Sequence, residues 1–133
     1  MVAPGNIHLL VTRRGASFVC ELKNGPLVNG HRPSVNVTFK SAAKVAGINT
    51  VGVLLTGTGS DGAEGLLQLK NAGGYTIIES EETATGFGMP KAAIQLGAQC
   101  EILPLDRILK RLLEVLGQQK PQPSPASKAQ LVR

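Results

Sequence analysis

The sequence predicts an α/β protein: a partial, doubly wound (Rossmann-like) parallel sheet preceded by an N-terminal β-hairpin. Three observations carry this expectation. Between residues 50 and 116, short apolar runs alternate with helical periodicities, the pattern of successive βα units. The run at 50–56 is apolar without alternation, as befits a strand covered on both faces. The composition is aliphatic, 42% hydrophobic but only 3% aromatic, with 16 glycines and 8 prolines for tight turns. A chain of 133 residues holds one domain at most.

The elements follow in order. Residues 7–12 and 17–22 alternate around the turn Arg13-Arg14-Gly15-Ala16, which reads as a hairpin, and Asn24-Gly25-Pro26 ends it. Over 34–46, Val35, Phe39, Ala42, Ala43 and Ala46 recur at helical spacing, with Ser34 after Pro33 as the cap and Gly47 as the stop. The buried strand at 50–56 runs into the loop Gly57-Thr58-Gly59-Ser60-Asp61-Gly62. A helix with Leu66, Leu67 and Leu69 then reaches Ala72, and Gly73-Gly74 ends it. Residues 75–79 form the next strand and 81–88 a polar loop. Met89-Pro90 starts a helix to Leu96, and 100–103 is a third parallel strand. Residues 105–116 are an amphipathic helix, with Ile108, Leu109, Leu112, Leu113 and Leu116 along one face. Residues 118–133, carrying Pro121, Pro123 and Pro125, read as a disordered tail behind a domain at 1–117. Three parallel strands and a hairpin are thin for independent stability, and the chain starts inside what reads as a strand. Both points lead to the expectation that further strands precede residue 1.

Charge and composition narrow the function. Of the net charge of +5, Lys120, Lys128 and Arg133 contribute three in a segment without acids, leaving +2 over residues 1–117. No basic stripe with interleaved aromatics appears, so nucleic acid is not an expected partner. No apolar run approaches the ~20 residues that cross a bilayer, and no signal-peptide pattern opens the chain, so a cytoplasmic protein without membrane insertion is expected. Cys20 and Cys100 stand alone in apolar segments, which predicts free, buried thiols and no metal site.

The glycine-rich loop carries the chemistry. Gly57, Gly59 and Gly62 fit GxGxxG after a strand and before a helix, and Glu79 ends the next strand about 20 residues on, as in a dinucleotide-binding fingerprint. Asp61 argues against it. A carboxylate at the helix N-terminus repels a pyrophosphate and competes for the same N–H groups. A second reading makes Asp61 a simple helix cap, worth about 1 kcal/mol.

Several blocks in order extend beyond this loop: Ala3-Pro4-Gly5 with His8-Leu9; Gly25-Pro26 with Val28-Asn29; His31-Arg32-Pro33-Ser34-Val35; Phe39-Lys40-Ser41-Ala42-Ala43; residues 55–63 around Asp61; and Phe87-Gly88-Met89-Pro90-Lys91-Ala92-Ala93. Over residues 2–103 they resemble the C-terminal part of the catalytic domain of CheB-type protein-glutamate methylesterases. The resemblance implies a carboxylic ester hydrolase without a cofactor. Its Ser-His-Asp triad cleaves glutamate methyl esters on the cytoplasmic helices of chemoreceptors. By the motif match Asp61 is the acid, and Thr58, Gly59, His31, Arg32 and Met89 are candidates to line the active site. The family loop usually has Met where Thr58 stands and often Asn where Ser60 stands, which leaves the local substrate contacts at Thr58 open. The family's serine and histidine lie upstream of its Ala-Pro-Gly hairpin, and no Gly-x-Ser-x-Gly turn occurs here. His8 and His31 match other family positions. The expectation is therefore that residues 1–133 alone are inactive, with a missing N-terminal half or a receiver domain as a partner. A non-catalytic binding module and a dinucleotide-binding domain are the alternatives.

Overall fold

A computed structural model describes residues 1–117 and 129–132. Strands β1 (His8–Arg14) and β2 (Ser17–Lys23) form an antiparallel hairpin in which His8 faces Lys23 and Arg14 faces Ser17. Helix α1 (Val35–Val45) follows. Ser34 is its N-cap, as expected, accepting from Val37 N–H at 3.4 Å. Gly47, at φ 47°, opens a short 3-10 turn that leads into β3 (Thr50–Leu54). Then come α2 (Ala63–Asn71), β4 (Tyr75–Glu79), α3 (Gly88–Gln95), β5 (Glu101–Leu103), α4 (Leu105–Gly117) and β6 (Ala129–Val132). The second sheet is parallel throughout, in the order β5-β4-β3-β6.

Side-chain alternation explains the doubly wound layering. Along β3, Val51 and Val53 point to one face, where with Ile77 they pack on Ile108 and Val115 of α4. Leu54 and Ile78 point to the other, into a core with Phe39 and Ala42 of α1, Leu66 and Leu69 of α2 and Ala93 of α3. Each buried Val, Leu, Ile or Phe among them contributes about 1.5–3 kcal/mol. Gly52 lies between them because α2 approaches too closely for a side chain: a Cβ there would meet Leu69 Cδ2 at 2.5 Å. The hairpin docks on α1 through Thr38, whose hydroxyl donates to Leu9 O at 2.7 Å, and through Ser41, whose Oγ accepts from Val11 N–H at 2.8 Å.

Two sequence expectations are corrected, for the tail and for the cysteines. The tail expected over 118–133 does not describe Ala129–Val132, which pair with β3 from Thr50↔Ala129 to Val53↔Val132. The exposed edge of a buried strand offers unpaired N–H and C=O groups, and β6 satisfies them. Residues 118–128 and 133 lie outside the described residues. On α4, Leu109 and Leu113 are 66% and 62% exposed, so only part of the apolar face is covered. Cys20 and Cys100 are free, as expected, but exposed rather than buried. Cys20 sits on β2, where every residue is exposed or half-buried. No helix among the described residues is long and apolar enough to cross a membrane.

Candidate active site

Asp61 lies in the loop after β3, at the C-terminal end of a central parallel strand, where open α/β sheets place their ligands. Its carboxylate is 3% exposed. It caps a helix, but not the one it precedes. Oδ2 accepts from Val35 N–H at 2.6 Å, and Oδ1 accepts from the Ser34 hydroxyl at 2.7 Å. Asn36 N–H at 3.4 Å and Asn29 Nδ2 at 3.5 Å are longer donors to Oδ1. These groups surround the N-terminus of α1, whose dipole favours a negative charge. Among the described residues Oδ2 has a single donor, and it retains acceptor capacity.

The N-terminus of α2 is capped in return from α1. Asn36 Oδ1 accepts from Gly62 N–H at 3.0 Å and from Gly65 N–H at 2.8 Å. The two helices therefore exchange caps, each satisfying the other's free amides. Gly65 allows the crossing to be this close, since a Cβ there would lie 2.8 Å from Phe39 Cβ and 3.1 Å from Asn36 Cα.

The Asp61 loop is joined backbone to backbone to the loop before α3. Gly57 N–H donates to Gly86 O at 2.8 Å, and Met89 N–H donates to Gly57 O at 3.1 Å. Thr56 Oγ1 donates to Gly86 O at 3.1 Å and accepts from Gly86 N–H at 2.6 Å. A Cβ on Gly88 would meet Gly59 N at 3.0 Å, and one on Gly57 would collide with the Met89 side chain. Beneath this junction lies Glu79, 2% exposed. Its carboxylate accepts from Thr56 N–H and from the Thr83 hydroxyl, both at 2.9 Å. Leu105 N–H, at the start of α4, donates to the same Thr83 oxygen at 2.9 Å.

These bonds weigh against the dinucleotide reading. The amides that would hold a pyrophosphate at α2 are taken by Asn36, and the acid that would hold a ribose is committed to Thr56 and Thr83.

The other sequence candidates fall into two groups. Thr58 and Gly59 (φ 79°) are exposed at the tip of the Asp61 loop, and half-buried Met89 packs against Gly57. His31 is exposed, and its backbone pairs with Val28. Arg32 is a staple: Nε and Nη2 donate to Asn6 Oδ1 at 3.1 and 2.7 Å, and Nη1 donates to Gly25 O at 2.9 Å. It pins the loop before α1. Ser34 touches Asp61, yet it is 1% exposed and its hydroxyl is spent on the carboxylate, so it is no free nucleophile. Asn29 and Asn36 escaped the sequence reading. An Asn at the second position of a helix, beside a Ser cap, was the available signal. A cleft of about 250 Å3 opens beside the loop, lined by residues that include Asn29, Asn36, Ser60, Glu64, Ala92 and Leu96. A larger hollow of about 720 Å3, between Glu82-Thr83 and residues 104–107, contains none of the motif residues.

Comparison with known proteins gives a consistent picture. A family model described as CheB methylesterase matches residues 1–112. A protein-glutamate methylesterase/protein-glutamine glutaminase of Rhodospirillum rubrum is 53% identical over 113 residues, which is 85% of this chain and 31% of that protein. One from Anaeromyxobacter dehalogenans is 50% identical over 118 residues, 89% of this chain and 33% of its own. The crystal structure of the Thermotoga maritima CheB methylesterase catalytic domain superimposes with a TM-score of 0.82 at 36% identity, covering 85% of this chain and 60% of that one. The chain thus spans about a third of the length of the curated relatives it matches.

Proposed function

Because the chain belongs to the CheB methylesterase family, we propose that it serves in hydrolysis of glutamate methyl esters on chemoreceptor helices, with Asp61 as the acid of a Ser-His-Asp triad. The observation that carries the reading is a buried carboxylate at a strand's C-terminal end, anchored on the α1 N-terminus with acceptor capacity left on Oδ2. In such a triad the serine attacks the ester carbonyl and the histidine takes its proton. The carboxylate fixes the histidine tautomer and stabilises the imidazolium. Family resemblance assigns the serine and histidine to segments other than residues 1–133. Asp61 serves this role well because backbone and hydroxyl donors hold it before the reaction begins, so no reorganisation is needed as charge develops.

The relatives' names pair the esterase with a glutaminase. Both activities are acyl transfer to water at the same side-chain carbon, with methanol or ammonia leaving. One triad serves both, and we extend the proposal to glutamine deamidation on the same class of helix.

The test is release of methanol from methylated chemoreceptor by the protein as the cell makes it, beside an Asp61→Asn variant. Parent turnover falling by about 10³–10⁴-fold in the variant supports the reading. A parent without turnover, or a variant as active as the parent, overturns it.

A further inference from the structure

His8 lies on β1, outside the triad, yet both of its ring nitrogens are engaged. Ser34 N–H donates to Nδ1 at 3.2 Å, and Nε2 lies 2.8 Å from Pro26 O. A backbone N–H can only donate, so Nδ1 carries no proton and Nε2–H donates to Pro26. The tautomer is fixed by these two neighbours. The same residue's hydroxyl donates to Asp61 Oδ1 at 2.7 Å. A continuous chain of hydrogen bonds therefore runs from exposed Pro26 through His8 and Ser34 to Asp61, the last three residues being buried at 4%, 1% and 3% exposure.

We propose that His8 is a positioning residue for Asp61. By accepting from Ser34 N–H it fixes the cap residue of α1, and through the Ser34 hydroxyl and Val35 N–H it fixes the direction of the carboxylate. The proposal rests on the reading of Asp61 as the triad acid. Docking of the hairpin does not account for a buried imidazole here, because Thr38, Ser41 and Arg32 already tie this region together. An apolar side chain would pack without burying polar atoms, but it would leave the Ser34 amide without an acceptor. A triad acid needs its oxygen held to a fraction of an ångström, and a misplacement of about 1 Å can cost about 10²-fold in rate.

Two variants separate positioning from packing, tested in the protein as the cell makes it. His8→Asn keeps an acceptor near Nδ1 for Ser34 but cannot reach Pro26. His8→Gln reaches Pro26 with its amide but offers Ser34 nothing. The expected result is a kcat lowered about tenfold or more by His8→Gln, with KM within about twofold, while His8→Asn stays within about threefold of the parent. Both lower Tm. Equal kcat in the two variants, or kcat following Tm in both, overturns the proposal. Ser34→Ala against Ser34→Thr repeats the comparison one link along, with kcat lost only where the hydroxyl is lost. A readout independent of turnover is hydrogen exchange at the Val35 amide, which donates to Asp61. His8→Gln accelerates it and His8→Asn does not, and equal rates overturn the proposal. A parent without esterase turnover sinks the triad reading instead, and the exchange comparison then decides the positioning role alone.

Discussion

Asp61 and Asn36 each terminate the other's helix, so each has a structural role that is separable from chemistry. Asp61→Ala removes the acceptor for Val35 N–H and Ser34 Oγ at once. It should cost about 1–3 kcal/mol in denaturant unfolding. Asp61→Asn should cost less. Its oxygen can face Val35 N–H while the Ser34 hydroxyl turns to accept from its amide, and this makes it the better variant for activity work. Asn36→Ala leaves the buried Gly62 and Gly65 amides unpaired and should destabilise by a similar about 1–3 kcal/mol, read in the same experiment. The glycine spacing and the position of Asp61 were legible in the sequence because the loop is local. The direction of the cap was not. Asp61 and Val35 stand 26 residues apart, and a cap exchanged between helices leaves no local pattern. The engagement of both His8 nitrogens was hidden for the same reason. Its partners, Pro26 and Ser34, come from another loop.

At the scale of elements, helical periodicity marks an apolar arc but not how much of it is covered. On α4, Ile108 and Val115 are buried while Leu105, Leu109 and Leu113 are exposed. Arg111 explains the split. Its guanidinium donates through Nε to Glu101 at 2.6 Å and through Nη2 to the Tyr75 hydroxyl at 3.1 Å, which draws the helix toward β5. At about 100° per residue, Leu109 then lies on the side of the helix opposite Arg111. Ile108→Ala should cost about 2–4 kcal/mol and Leu109→Gln less than about 0.5 kcal/mol in denaturant unfolding. The staple also titrates. Hydrogen bonds from the Tyr75 hydroxyl and from Arg111 hold the Glu101 carboxyl below the ordinary value of 4.5. A carboxyl lowered in the folded state adds stability that is present above its unfolded value and is lost as pH falls through the folded one. Glu101→Gln should therefore lower Tm by a few degrees at neutral pH. The gap should close as pH falls below the ordinary glutamate value, which thermal melts across an acid series will show. A constant gap would mean that packing, not charge, carries the staple.

For the whole molecule the decisive feature is the outer edge of β3. The strand is central in character, buried over its whole length, yet on one side its neighbour is only Ala129–Val132. Elsewhere on the surface, helix α4 exposes Leu105, Leu109 and Leu113. A chain ending at Gly117 would leave the backbone groups of residues 50–53 unpaired in a molecule that also exposes these apolar side chains, a combination that favours association with another chain. The expected outcome of that truncation is a lower Tm and an apparent mass that rises with concentration in sedimentation, while the parent stays at constant mass. Leu109→Gln with Leu113→Gln in the shortened chain should reduce the association without restoring Tm, because apolar contact and strand pairing are separate contributions. A shortened chain that is monomeric and as stable as the parent would show that β6 contributes nothing to the edge. In that case hydration of the β3 backbone would suffice, and the pairing from Thr50↔Ala129 to Val53↔Val132 would be incidental to folding.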